Sequence, residues 1–215
     1  YSHFSREADI QILLATYFGG LGENLPLALQ LPVAGLHADL VRAPEQLDAI
    51  LGQLPAGKTL SLGVIDGRNV WRADLDAAHA LIQRAVSVLG KERVQIAPSC
   101  SLMFSPHDLD LETSLDEELR SWLAFGRQKL DELSLLKQAI NQGVETVAKP
   151  FALSREALKR RHNSKRTHDR QVRERLKAVD QAMLRRNQDL QARKAAQALK
   201  LRLPVLPTTT IGSFP

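Results

Sequence analysis

Four short apolar runs recur along the first hundred residues, at a spacing that predicts strands joined by helices. The runs cover residues 9–18, 35–41, 59–65 and 93–97. Nearly continuous apolar runs of this length are typical of strands buried on both faces of a parallel sheet. Alternating strands and helices predict an α/β fold. Four such units are half of the eight that close a (βα)8 barrel, and a doubly wound open sheet fits the same pattern.

Helical patterns occupy the remaining intervals. The first begins at Pro44, and residues 74–89 carry an apolar stripe that ends at Gly90. A capped helix is predicted from Thr113 or Ser114 to about residue 142. Residues 166–201 contain no Gly or Pro and are rich in Ala, Gln, Arg, Lys and Leu, which predicts one long helix with much of its circumference in water.

Charge divides the chain into two chemically different parts. Residues 151–202 hold 16 Lys and Arg against 5 Asp and Glu, a net +11, and the remainder carries −6. No apolar run approaches the roughly 20 residues needed to span a bilayer. A single cysteine, Cys100, excludes an internal disulfide framework and fits a reducing cytoplasm, where we expect the protein to reside. The chain begins with Tyr1 rather than Met, so a preceding segment is expected.

Two groups of polar residues near strand ends are candidates for chemistry. Arg68, Asn69 and Arg72 follow the third strand and could grip an anion, although a turn whose polar groups only fasten the loop is slightly favoured. His37 and Asp39 lie two apart on one strand and face the same side. They could act as acid and base or bind a metal in a stand-alone enzyme, but a buried hydrogen-bonded pair is the commoner outcome.

Two further features have a functional and a structural interpretation. Cys100 could be a thiolate ligand or nucleophile, but a lone cysteine is more often a small apolar filler. The basic helix of residues 151–202 could bind nucleic acid or another anionic surface. Its charges are not interleaved with aromatic side chains, so a solvated helix facing an acidic neighbouring domain is the favoured interpretation.

Several runs together resemble the cobalamin-independent methionine synthase family, in order along essentially the whole chain. The most specific are Gly-Arg-Asn-Val-Trp-Arg-Ala-Asp-Leu, within residues 66–75, and Thr-Thr-Thr-Ile-Gly-Ser-Phe-Pro, at residues 208–215. The other matching runs are residues 13–18, 35–41, 99–102 and 161–162.

The resemblance implies two face-to-face (βα)8 barrels joined by a helical linker. Residues 1–150 would be the second half of the first barrel, residues 151–206 the linker, and residues 207–215 the start of the second, catalytic barrel. The family transfers a methyl group from 5-methyltetrahydrofolate with a polyglutamate tail to homocysteine. Zinc in the second barrel, held by one His, two Cys and a Glu that this chain lacks, activates the homocysteine thiol. Cys100 would be a relic of the barrel duplication.

The resemblance also assigns roles to residues and partners. Ile211, Gly212 and Ser213 correspond to the run that contacts the amino-acid part of homocysteine or methionine. No catalytic residue or metal ligand is expected in this chain. The expected partners are the missing half-barrel, the catalytic barrel and the two small-molecule substrates, without nucleic acid or membrane. Since a Thr-rich strand at residues 208–215 has no sheet to join, we expect a truncated piece that is inactive alone and prone to self-association.

Overall fold

A computed structural model describes residues 1–7 and 10–208 of the chain. The chain divides into two compact units, of which the first spans residues 1–164 and the second begins at Lys165. In the first unit the strands are β1 Leu13–Ala15, β2 Gly35–Asp39, β3 Thr59–Ile65 and β4 Val94–Pro98. Its α-helices are α1 Ser2–Glu7, α2 Leu25–Gln30, α3 Gln46–Leu51, α4 Leu75–Leu89, α5 Glu117–Trp122, α6 Gly126–Gln142 and α7 Ala148–Asn163.

The described strands form one parallel sheet whose spatial order, β1-β2-β3-β4, is the order of the sequence. The predicted α/β fold with a parallel sheet is therefore confirmed. Because β-crossover-β connections are right-handed, strands that advance in one direction place their connecting helices on one face of the sheet. A doubly wound sheet would reverse direction to cover both faces, and no reversal occurs among the described strands.

The two faces of the sheet differ in chemistry. Leu36, Leu60 and Leu62 are almost fully buried in the core that the strands share with α4 and α6. The opposite face carries a row in which Ala15, His37, Ser61 and Gln95 are aligned across the four strands. The helix-covered face is thus apolar, and the other face is lined by small and polar side chains.

Strand β1 differs from its prediction. The apolar run suggested a strand buried on both faces, but β1 has three residues, and Leu13 is 45% exposed. It lies at an edge of the sheet, paired only with β2 among the described strands, so one side lacks a neighbour.

The helix expected from residue 113 to 142 is wrong as a single element. The side chain of Asp116 caps α5 by accepting a hydrogen bond from the Leu119 amide, and the helix ends at Trp122. The amide of Ala124 then donates to the carbonyl of Val70, and Leu123 forms an antiparallel bridge with Trp71. Residues 123 and 124 therefore pair with the loop after β3 rather than with a preceding helical turn, and this separates α5 from α6.

Helix α7 belongs to the first unit. Phe151 is 1% exposed within the core, and Ser154 and Ala157 on the same helix are also buried. Arg155 pairs with Asp76 of α4 at 2.6 Å. The compact unit thus continues 14 residues beyond residue 150, where the sequence suggested that the linker begins.

Residues 165–208 of the second unit contain two separate α-helices, α8 Arg170–Lys177 and α9 Leu190–Leu201, where the sequence predicted one long helix. Between them, Asp180 accepts a hydrogen bond from the Met183 amide, and Asp189 accepts one from the Ala192 amide. Aspartate side chains that bind nearby amides compete with helix continuation, which explains the break. Among the described residues, no helix has the length and apolar character to cross a bilayer.

Candidate functional site

The loop of residues 66–73 lies at the carboxyl end of β3, the end where parallel α/β folds place their working groups. Asp66 organises its first turn. One carboxylate oxygen accepts from the Arg68 amide and the other from the Asn69 side-chain amide, both at 2.8 Å. The Oδ1 atom of Asn69 in turn accepts from the Trp71 amide at 3.1 Å. The loop is therefore shaped by its own polar side chains.

Lys129 of α6 holds this loop in place through hydrogen bonds. Its side chain is fully buried, and its Nζ atom donates to Asn69 Oδ1 and to the carbonyl oxygen of Trp71, each at 3.1 Å. Burial lowers the pKa of the Lys129 ammonium, while nearby Glu132 and Asp66 oppose that shift. A buried ammonium is tolerated when acceptors and countercharge surround it, as they do here.

The backbone amide and the backbone carbonyl of Ala73 are both hydrogen-bonded to side chains of later helices. Glu132 of α6 accepts a hydrogen bond from the Ala73 amide at 2.9 Å, and Ser154 of α7 donates its hydroxyl to the Ala73 carbonyl at 2.9 Å. Burial raises the pKa of the Glu132 carboxyl, and the Ala73 amide, Lys129 and Arg72 act in the opposite direction. Two helices from later in the sequence thus fix the end of the loop.

Aromatic and cationic side chains complete the loop. The guanidinium of Arg161, on α7, lies 3.6 Å from the ring centroid of Trp71, and that of Arg68 lies 4.9 Å from the ring of Phe18. Cation–π contacts of this kind contribute about 0.5–2 kcal/mol each. The interpretation that polar groups fasten this loop is supported for Asn69, which bonds to Asp66 and Trp71 within the loop and to Lys129 of α6.

Lys129 and Glu132 were missed from the sequence, although a signal was present. The buried positions of α6 are Lys129, Glu132, Leu136 and Ala139, at steps of three and four residues. The prediction used the leucines instead, among them Leu130, which is 56% exposed. Continuing the three- and four-residue steps from Ala139 and Leu136 toward the start of the helix would have placed Glu132 and Lys129 on the buried face of α6.

His37 and Asp39 serve as hydrogen-bonding residues of the sheet. The Nε2 atom of His37 lies 3.3 Å from the Ser99 carbonyl oxygen and donates to it, and Nδ1 lies 2.9 Å from the Ser61 hydroxyl oxygen. Asp39 accepts from the amides of Phe18, Val41 and Arg42 at 2.9–3.1 Å. Both side chains are buried, and both follow the commoner of the two interpretations.

Cys100 packs tightly against the loop after β3. A Cβ atom on Gly67 would lie 2.6 Å from the Cys100 carbonyl oxygen and 2.9 Å from its sulfur. The described part of the chain contains no group of three or more His, Cys, Asp or Glu side chains placed to hold a metal ion. The resemblance places the zinc ligands in the second barrel, outside this chain, and we assign none of the described residues to zinc.

Replacing Gly67 by alanine should destabilise the first unit by about 1–3 kcal/mol, because the added methyl group meets backbone that cannot move as a side chain can. Urea denaturation of Gly67→Ala would measure the loss. Gly52→Ala is the matched control, because its Cβ would lie 3.4 Å from the nearest atom, the Asp48 carbonyl oxygen, at an ordinary helical φ of −72°. Equal stability of the two variants would contradict the close packing of Gly67 on Cys100.

An ionic network fixes the segment between β4 and α6. Asp108 accepts from the Asp110 amide at 3.0 Å, from Arg127 at 2.8 Å and from Gln128 at 2.6 Å. The Asp110 amide, followed by Arg127 and Gln128, holds the pKa of the Asp108 carboxyl well below its ordinary range. Arg127 also pairs with Asp110 at 3.0 Å, so one guanidinium bridges two carboxylates.

Asp108→Asn should lower the melting temperature at neutral pH and lose its effect in acid. Because the folded-state pKa is depressed, the stabilisation is present above the unfolded-state value of about 3.9 and disappears as pH falls through the folded-state value. Thermal unfolding from pH 7 to pH 2 tests this, with exposed Glu112→Gln as the control. A difference from wild type that stays constant with pH would contradict the assignment.

The basic segment of residues 159–168 is partly engaged within the first unit. Arg160 pairs with Glu156 at 3.0 Å, and Arg161 stacks on Trp71. These contacts give the nucleic-acid alternative no support, and the predicted acidic neighbouring domain stays a prediction. Ile211, Gly212 and Ser213, the expected amino-acid contacts, lie outside the described residues.

A family model described as "Cobalamin-independent synthase, N-terminal domain" matches residues 1–90, which contain β1, β2, β3 and the whole loop of residues 66–73. The chain is also 53% identical, over 96% of its length, to the 5-methyltetrahydropteroyltriglutamate–homocysteine methyltransferase of Caulobacter vibrioides. The chain belongs to the cobalamin-independent methionine synthase family. Enzymes of the same description from Acidithiobacillus ferrooxidans and Rhodopseudomonas palustris are 49% and 50% identical over its full length.

This member of the cobalamin-independent methionine synthase family spans about a quarter of the length of these relatives, 26% to 27%. The alignments to the Acidithiobacillus and Rhodopseudomonas enzymes extend through the second unit, beyond the residues that the family model matches. Residues 1–90, within the first unit, are thus the part that the family model and these relatives both match.

Proposed function

We propose that this chain forms part of a methyltransferase that moves the methyl group of 5-methyltetrahydropteroyltriglutamate to homocysteine and yields methionine. The observation that carries the proposal is the identity of about 50% to three enzymes that bear this name, over 96% to 100% of the chain. The donor and the acceptor are taken from those printed names. We place the enzyme in the cytoplasm, where both the single cysteine and the chemistry of a biosynthetic reaction fit.

We further propose that residues 1–164 are four strand–helix units of a (βα)8 barrel. The unidirectional strand order and the difference between the apolar helix-covered face and the polar opposite face support this assignment. In such barrels the loops after the strands face the reaction, and the barrel body positions them. The loop of residues 66–73, which is held by hydrogen bonds from α6 and α7, is one of the loops that the barrel body would position.

We assign the chemistry itself, the zinc site and the folate site, to parts of the enzyme that this chain does not contain. Attack on a methyl group carried by an amine requires a thiolate, and zinc, when bound, supplies that thiolate by lowering the pKa of the thiol. The described residues offer zinc no site, so no reaction step is assigned to them. Alone, the chain is expected to be inactive.

A chimera tests the proposed function. The stretch of the Caulobacter enzyme that matches this chain would be replaced by the chain, and methionine formation would be measured with both substrates. Activity within about tenfold of the parent enzyme, a difference of less than about 1.4 kcal/mol in the barrier, supports the proposal. A chimera that folds, binds both substrates and yields no methionine would contradict it.

The contact assigned to Ser213 has its own test in the same chimera. If its hydroxyl binds the charged amino-acid part of homocysteine, Ser213→Ala removes a hydrogen bond to a charged group, worth about 1.5–3 kcal/mol. The KM for homocysteine should then rise more than tenfold while the KM for the folate stays unchanged. Ser87→Ala, at an exposed position of α4, is the control substitution and should change neither KM. An unchanged KM for homocysteine in Ser213→Ala would remove the assignment.

A further inference from the structure

Two charged side chains at the end of the loop of residues 66–73 each have a buried atom without a hydrogen-bond partner among the described residues. They are Glu132, through its Oε2 atom, and Arg72, through its Nε atom. The described residues already shield both atoms from solvent, so neighbours outside this chain do not reach them. Because buried polar atoms nearly always have a partner, two such atoms of opposite charge at one end of a loop are unusual.

The two oxygens of Glu132 are in different situations. Oε1 accepts a hydrogen bond from the Ala73 amide at 2.9 Å, whereas Oε2 accepts none from the described residues. An ionised carboxylate is acceptor-only at both oxygens, but a neutral carboxyl can keep the Ala73 bond at Oε1 while Oε2 carries the proton. Since an unpaired buried charge is far less favourable than an unpaired neutral group, the observed arrangement suits the neutral form of Glu132.

Three charged groups act on the Glu132 carboxyl. Burial raises its pKa, and the Ala73 amide, Lys129 and Arg72 oppose that shift, in this order. Asp131, on the same helix, acts in the same direction as burial. Glu132 thus has a cation from its own helix, a cation from the loop and one like charge around it.

Arg72 is the cation that can bind the Oε2 atom of Glu132. The Lys129 ammonium donates to two acceptors in the loop, and Ser154 of α7 donates its hydroxyl to the Ala73 carbonyl. Arg72 directly precedes Ala73, whose amide Glu132 already binds. Its guanidinium is therefore attached to the same end of the loop, with its Nε atom still unpaired among the described residues.

We propose that Glu132 and Arg72 form a proton-controlled contact that fixes the end of the loop of residues 66–73. In the neutral form Glu132 binds only the Ala73 amide, which is the arrangement observed. When Glu132 releases its proton to solvent, the Arg72 guanidinium binds Oε2 through a charge-assisted hydrogen bond and adds a second attachment of the loop to α6. The inference concerns the loop itself and does not require the methyl-transfer reaction.

A double-mutant cycle of Arg72→Gln and Glu132→Gln tests the proposal, by urea unfolding of the complete chain from pH 4 to pH 9. Because Arg72 favours the ionised form, its coupling to Glu132 is present above the folded-state pKa of that carboxyl and disappears as pH falls through it. The coupling should change the unfolding equilibrium constant by at least about tenfold at pH 9 and by less than about twofold at pH 4. Asp108 is unchanged in every variant, so its own pH dependence cancels.

A control cycle uses an exposed ion pair on α7. Arg160 and Glu156 lie 3.0 Å apart with side chains that are 64% and 52% exposed, and Arg160→Gln with Glu156→Gln should show only a small coupling. A coupling between Arg72 and Glu132 that is equal at all pH values would overturn the proposal, because a permanent contact does not depend on the proton. The absence of any coupling would overturn it too.

Infrared spectroscopy supplies a second measurement that needs no unfolding. The difference between wild type and Glu132→Gln should contain the C=O band of one protonated carboxyl, and this band should disappear as pH rises. In Arg72→Gln the band should persist to higher pH, by about one pH unit for each tenfold of coupling. A band with the same pH dependence in the presence and absence of Arg72 would overturn the proposal. Circular dichroism of each variant establishes that the fold is retained.

Discussion

Lys129→Met should destabilise the first unit by about 2–5 kcal/mol, because each buried polar group left without a partner costs about 1–3 kcal/mol. The substitution keeps the length of the side chain but removes the Lys129 donor from the Trp71 carbonyl and leaves Asn69 Oδ1 with the Trp71 amide alone. It also removes the countercharge of the buried Glu132 carboxylate. Because domains are stable by only about 5–15 kcal/mol, urea denaturation should show a large fall in the midpoint.

Two companion variants make this prediction specific. Lys137→Met changes the same residue type on the exposed side of α6 and should shift stability by no more than about 0.5 kcal/mol. Glu132→Gln combined with Lys129→Met removes the unpaired carboxylate while keeping an acceptor for the Ala73 amide, and it should recover part of the loss. Equal effects of Lys129→Met and Lys137→Met would show that Lys129 does not brace the loop.

Phe151→Ala should cost about 3–5 kcal/mol, because it opens a cavity where a fully buried aromatic ring packs. Phe151 is 1% exposed, and its ring meets that of His79 edge to face, with the centroids 6.0 Å apart. The same helix carries Ser154, which holds the Ala73 carbonyl. Weakening the contact of α7 with α4 should therefore also loosen the loop after β3.

Thermal and urea unfolding measure the effect of Phe151→Ala, and tryptophan fluorescence, from Trp71 in the loop and Trp122 beside it, reports on this region. Leu153→Ala is the control, because Leu153 lies on the same helix but is 57% exposed. A loss below about 1 kcal/mol for Phe151→Ala, or a loss equal to that of Leu153→Ala, would place α7 outside the first unit.

The sheet and one helix could be predicted from local pattern. Four apolar runs located the strands, and α4 was found between a side-chain cap at Asp74 and a stop at Gly90, which has a φ of +79°. Local signals sufficed here because both ends of α4 are set by residues within it or beside it. Helix α2 was missed because six residues with Pro26 in the first turn leave little periodicity to detect.

The hydrogen bonds from Lys129 to the loop of residues 66–73 could not be predicted from local sequence pattern. Lys129 meets Asn69 across 60 residues of sequence, and charged residues are ordinarily expected outside. The break between α5 and α6 has the same origin, since Ala124 bonds to Val70. In both cases partners distant in sequence override local preference. His37 and Asp39 were placed on one strand from the sequence, but only their hydrogen-bond partners in the structure favour a structural role.

Hydrogen exchange of the complete chain, followed by mass spectrometry, tests most directly whether a single structural unit extends through α7 to residue 164. Amides of residues 148–163 should open together with those of β2 and β3, with similar protection, while residues 165–208 exchange much faster. Fast exchange of residues 148–163 together with residues 165–208 would show that α7 is not part of the first unit.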